Sequence, residues 1–187
     1  MELKKYILIE SDRPRLYRVK ALRSFADVKE GDLGGYVEKE SNLSHDGNAW
    51  VSGNAKVYGD AKVSGNADVS GNANVYGNAE VYGDAEVFGN AWVSDNANVY
   101  GDADVFGNAK VFGDAEVSGN ADYIVFKNWW SSGRYFTWTR SNNKWRVGCF
   151  YGTGEELIAK AYQDSEQSGR EYERVVRYVE SIINTKK

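Results

Sequence analysis

The sequence predicts a mainly β protein: a parallel β-helix of about five coils, with an N-terminal cap and a small C-terminal α+β module of a hairpin and two helices. Three observations carry this expectation. From Ala49 to Asn120 a six-residue unit, Ala-x-Val-(Ser/Tyr/Phe)-Gly-(Asn/Asp), is written twelve times without insertion or deletion, Asp95 alone replacing the glycine. Within each unit Ala and Val sit two apart, which in an extended chain puts both on one face. Beyond Phe126 the Gly and Asn slots vanish and an aromatic, basic stretch begins. The chain divides accordingly into 1–36, 37–126 and 127–187.

Residues 1–36 read as a cap. Leu3, Tyr6, Ile7, Leu8 and Ile9 form one short strand, ended by SDRPR, and LYRVKAL alternates as a second strand with one wet face. Gly31, Gly34 and Gly35 crowd SFADVKEGDLGGYV, which reads as an irregular loop. Counting back by sixes puts Val37 and Leu43 in the Ala49 phase, as two degenerate opening units. Counting forward puts Ala121 in phase and Tyr123 in a Val slot, for about fifteen units.

Each unit is a strand of about four residues followed by a corner. Gly and Asn or Asp supply the corner because they take positive φ at least cost. If each corner turns the chain by a third, three units close an eighteen-residue coil. Coils stacked at about 4.8 Å then give a prism of roughly 20 to 24 Å, filled with Val and Ala. Slot two and slot four face outward. Eighteen-residue stacking pairs Tyr58 with Tyr76, Tyr82 with Tyr100 and Phe88 with Phe106. Such ladders either shield the backbone or form an apolar girdle that marks an oligomer surface. Its candidates are Tyr76, Tyr82, Phe88, Trp92, Tyr100, Phe106 and Phe112, joined by Val176, Val179 and Ile183 from the last helix.

Residues 127–187 hold RYFTWTR and KWRVGCF, a hairpin across SNN. Thr153 with Glu156, and Ser168 with Glu171, fit capping boxes for two helices. The single Cys149 reads as a buried structural thiol and permits no internal disulfide. Lys127, Arg134, Arg140, Lys144 and Arg146 stand in a stretch without acids, interleaved with aromatics. Trp129, Trp130, Arg134, Trp138, Arg140, Lys144, Trp145 and Arg146 are therefore the candidate binding residues, through stacking and charge.

The units resemble the bacterial transferase hexapeptide repeat, an aliphatic residue followed four later by a small one, as in Val51 with Ala55 and Val57 with Ala61. That resemblance implies a left-handed coil. ALRSFADVKEGDLGGYVEKESNLSHDGNAWV with GCFYGTGEEL is similar to an uncharacterised hexapeptide-repeat family of phages and prophages, often labelled polymer-forming. The expectation is a homo-oligomer, dimer or trimer, that works by binding, and the phage resemblance implies a protein partner in the host, with interference in a host defence system as one purpose. A structural virion or filament role and a hexapeptide acyltransferase are the alternatives.

Against the enzyme stand one histidine, His45, and no loop extruded from the twelve clean units. A γ-type carbonic anhydrase would need three metal-binding histidines. No catalytic residue, cofactor or metal is expected. Net charge of −4 disfavours nucleic acid and anionic membrane surfaces as partners, leaving nucleotides or single strands a secondary class. The apolar run in MELKKYILIE is too short for a signal segment or a membrane span, and the bacterial host cytoplasm is the expected compartment.

Overall fold

In the computed structural model, which describes residues 4–184, the repeats form a parallel β-solenoid of about five turns. Strands β1 (Tyr6–Ile9), β2 (Tyr17–Ala21) and β3 (Leu33–Val37) precede twelve two-residue rungs, β4 (Trp50–Val51) to β15 (Glu116–Val117), spaced by six residues. Each rung from β4 to β12 pairs in parallel with the rung eighteen residues on, as Glu86 with Asp104 and Val87 with Val105. Three flat faces result. All twelve slot-one alanines and slot-three valines of the rungs are fully buried, each valine contributing about 1.5–3 kcal/mol.

The corners explain the fifth slot. Gly71 has φ of 66°, and a Cβ there would lie 2.9 Å from the Gly89 nitrogen. Positive φ and coil-to-coil proximity both call for glycine. Asp95 takes φ of 62°, as Asp tolerates better than most residues, and its Oδ2 accepts from the Gly113 N–H at 3.1 Å. Corner amides add exposed ladders, Asn48 donating to Asn66 at 3.2 Å and Asn66 to Asp84 at 2.9 Å.

The opening of the solenoid departs from the expected phase. Val37 and Leu43 pair with Val57 and Val63, twenty residues on rather than eighteen. They occupy valine slots, and the two surplus residues, His45 and Asp46, widen one corner. Ser44 still donates to the Val63 carbonyl and Asn48 to that of Gly65, which brackets the insertion between them. The expected loop before residue 37 also contains β3, antiparallel to β2 and parallel to the Lys56–Val57 rung. Its glycines serve close approach: a Cβ on Gly34 would sit 2.5 Å from the Val51 carbonyl oxygen. Through β3 the N-terminal strands continue one solenoid face as a seven-stranded sheet.

At the far end Tyr123 does not begin another coil. It opens β16 (Tyr123–Lys127), the edge of an antiparallel sheet completed by β17 (Tyr135–Thr139), β18 (Lys144–Val147) and β19 (Phe150–Gly152). Tyr123 and Val125 pack on the solenoid core, while Ile124 and Phe126 pack on the module's own core. Helices α1 (Gly154–Asp164) and α2 (Glu166–Asn184) cover that sheet. The Thr153–Glu156 capping box forms. Ser168 lies inside α2, where its N–H donates to the Ser165 hydroxyl, so Ser165 and not Ser168 caps this helix. No helix among the described residues is long and apolar enough to cross a membrane.

Candidate functional site: a cationic aromatic groove

The coil-to-coil bonds above run from each N–H to a carbonyl of the next coil. They leave the first coil with carbonyls that lack donors and the last with N–H groups that lack acceptors. At the N-terminal end β2 covers one face, and the other two are met by side chains. Buried Lys5 donates to the Ala49 carbonyl at 2.8 Å, and the Tyr6 hydroxyl donates to that of Leu43 at 2.5 Å. Burial pushes Lys5 down to about 8, with the Arg23 charge adding to the effect.

His45 belongs to this cap. Its ring stacks on Tyr6 at 4.2 Å, its Nδ1 accepts the Lys5 N–H at 3.2 Å and its Nε2 meets Glu40 at 2.8 Å. Both ring nitrogens are engaged, so neither is free to take a proton from a substrate. Although a cavity of about 670 Å³ lined by Glu40, His45, Lys62 and Glu80 lies beside it, the imidazole contributes stacked packing and position.

At the C-terminal end side-chain oxygens do the matching work. The Lys110 N–H donates to the Thr137 hydroxyl at 2.9 Å, Asp104 to Asn120 Oδ1 at 2.8 Å and Glu116 to the Ser141 hydroxyl at 2.7 Å. One acceptor thus serves each face, and the sheet is anchored over the last coil.

That anchoring creates a groove of about 370 Å³, lined by Asn90, Trp92, Asn108 and Lys110 from the solenoid and Arg134 and Tyr135 from the module. Lys110 Nζ rests 4.8 Å from the Trp92 ring centroid, and Trp92 meets Tyr76 edge-on at 6.2 Å. Arg146 lies over Phe112 at 4.2 Å, its buried Nε without a partner. Burial and the nearby Arg146 charge lower the Lys110 pKa. Among the described residues no salt bridge involves Lys110, Lys127, Arg134, Arg140, Lys144 or Arg146, whereas Arg170, Arg174 and Arg177 of α2 all have carboxylate partners. Lys110 and Arg134 share the walls of the groove with no carboxylate among its lining residues; like charges so placed repel one another, and an arriving anion would relieve that repulsion.

The residues singled out from sequence divide. Trp129 is 79% exposed, Arg134 and Arg140 are exposed, and Lys144 and Arg146 are half-buried. Trp138 and Trp145 are corrections: at 1% and 2% exposure they build the module's core and present nothing to a partner. Trp130 packs edge-on against Tyr172 at 5.3 Å. Of the outer aromatics, Tyr82–Tyr100 and Phe88–Phe106 stack at 5.3 and 5.4 Å as the spacing predicts, with Tyr82, Trp92 and Phe106 exposed and Tyr76, Phe88 and Tyr100 half-buried. Phe112 is buried under Arg146. Val176 and Val179 are buried inside the module and Ile183 packs against the same core, so this stripe faces the chain itself rather than another subunit. Cys149 is exposed, not buried.

Lys110, Asn90 and Asn108 escaped the sequence reading, and Tyr135 belongs to the aromatics interleaved with the basic residues there. The signal for Lys110 was present, since it follows Trp92 by one coil. No protein-family model and no curated protein matches the chain.

Proposed function

We propose that this chain is a non-catalytic β-solenoid binding protein, whose coil carries the left-handed sense implied by the hexapeptide resemblance. It engages a protein partner through the groove at its C-terminal end. The observation that carries the reading is the meeting of Trp92 and Lys110 with Arg134 and Tyr135, cations without carboxylates set between aromatic walls. Such a surface suits an acidic segment, with exposed Trp129 nearby in sequence as a large anchor. A bacterial host protein, including one of a defence system, is the partner class that the phage resemblance favours.

Affinity capture from a bacterial lysate tests this, comparing wild type with Lys110→Glu/Arg134→Glu. A protein retained by wild type and lost by the variant, with melting unchanged, supports the groove. Equal capture by both overturns it. Turnover of an acyl donor by the purified chain would overturn the non-catalytic assignment.

A further inference from the structure

The module's sheet runs β16-β17-β18-β19, so β16 is an edge. Its register pairs Tyr123 with Thr139 through Lys127 with Tyr135. The Asn128 N–H donates to the Arg134 carbonyl and the Arg140 N–H to that of Asp122, both at 2.8 Å. In an antiparallel ladder bonded pairs alternate, so Ile124 and Phe126 bond inward like Asp122 and Asn128. The backbone N–H and C=O groups of Tyr123, Val125 and Lys127 therefore face outward. Among the described residues no backbone hydrogen bond reaches them from that side. An open edge of this kind is a template for another strand, and only the Lys127 charge blunts it.

Two neighbouring features say what kind of strand fits. A cavity of about 580 Å³ adjoins the edge, with Phe106, Tyr123, Val125 and Tyr135 among its walls. It shares Asn108 and Tyr135 with the cationic groove. Lys127 lies over Tyr135 at 5.7 Å, at the end of β16 nearest Arg134. Alternate side chains of an added strand face the same way. Those beside Tyr123 and Val125 would meet apolar walls, and those beyond Lys127 would meet unpaired cations.

We propose that the free edge of β16 receives an extended segment of the protein partner as a fifth strand, with apolar residues over the Phe106–Val125 cavity and acidic residues beside Lys127 and Arg134. This rests on the groove reading and adds the binding mode to it.

The probes are two fluorescein-labelled decapeptides in which Val alternates with Thr. One ends in Asp-Thr-Asp and the other begins with it, offering both strand directions. Fluorescence anisotropy should show one of them binding wild type. Methylating its alternate backbone amides should weaken binding at least tenfold, as should Lys127→Glu/Arg134→Glu in the protein. Methylated peptides that bind as tightly, with binding still lost on charge reversal, would overturn strand addition and leave the groove reading standing. Binding indifferent to the charge reversal would overturn the groove reading as well. Failure of both peptides to bind would overturn the strand.

Discussion

The two ends of the solenoid face the same problem and solve it differently. The first coil offers carbonyls, which Lys5 and Tyr6 meet with donors. The last offers N–H groups, which Thr137, Asn120 and Ser141 meet with acceptors. The N-terminal cap also joins the solenoid covalently and through its ladder, because β3 pairs with β2 on one side and with the Lys56–Val57 rung on the other within a single sheet. The C-terminal cap sits across the last coil as a separate sheet with its own core. It leaves a groove, an open strand edge and unpaired cations. The first coil is met by β2, Lys5 and Tyr6, and the unpaired cations and the open strand edge lie where the coil stops.

That comparison can be broken first at the middle, which both ends depend on. Val87 is fully buried, so Val87→Asp places an unpaired carboxylate in the prism and should cost more than about 4 kcal/mol. Circular dichroism should find the variant unfolded or melting far below wild type; a retained melting temperature would refute the inward valine stack.

A smaller effect isolates the N-terminal end. Folded Lys5 releases its proton near pH 8, whereas its ordinary value is 10.5. The unfolded chain therefore binds more protons between those values, and stability should rise with pH across that window by about 1–3 kcal/mol. Arg23, which lowers the Lys5 value, and Asp46, which raises it, are the charges bearing on the group. Above pH 10 Tyr6 acts in the opposite sense, because burial pushes its hydroxyl up and the folded state stays protonated. Urea titrations from pH 7 to 10 should show the rise in wild type and lose it in Lys5→Met. An identical rise in both proteins would detach Lys5 from the cap.

The smallest effect belongs to the C-terminal end. Thr137→Val removes the acceptor for the Lys110 N–H, a bond made by a threonine that is itself buried. A loss of about 1 kcal/mol is expected from urea unfolding. A loss as large as 3 kcal/mol would mean that this end is sealed as tightly as the other.

Much of the fold was legible because the repeat imposes one period on both backbone and side chains. The eighteen-residue register, the buried Ala and Val and the Tyr82–Tyr100 and Phe88–Phe106 stacks all follow from spacing alone. The widened corner was hidden because Leu43 is apolar and fits either slot. Nothing in its chemistry says that His45 and Asp46 are surplus. Tyr123 misled for the same reason, since an aromatic beside the core serves a coil or a covering strand equally well. The site was less legible than the fold. Phe112 and Trp138 read as surface and core alike until the sheet is laid on the solenoid, and Trp92 meets Arg134 only through that placement.

The unbroken eighteen-residue register has a consequence for how such a chain can change length. Adding eighteen residues would lift the C-terminal sheet by one rung, about 4.8 Å, and keep its groove on the face that β2 and β3 extend. Adding six would swing the sheet by a third of a turn and set Arg134 against different solenoid residues. Length can therefore drift in whole coils with the walls of the groove kept on one face, while a single hexapeptide gained or lost re-aims the C-terminal sheet.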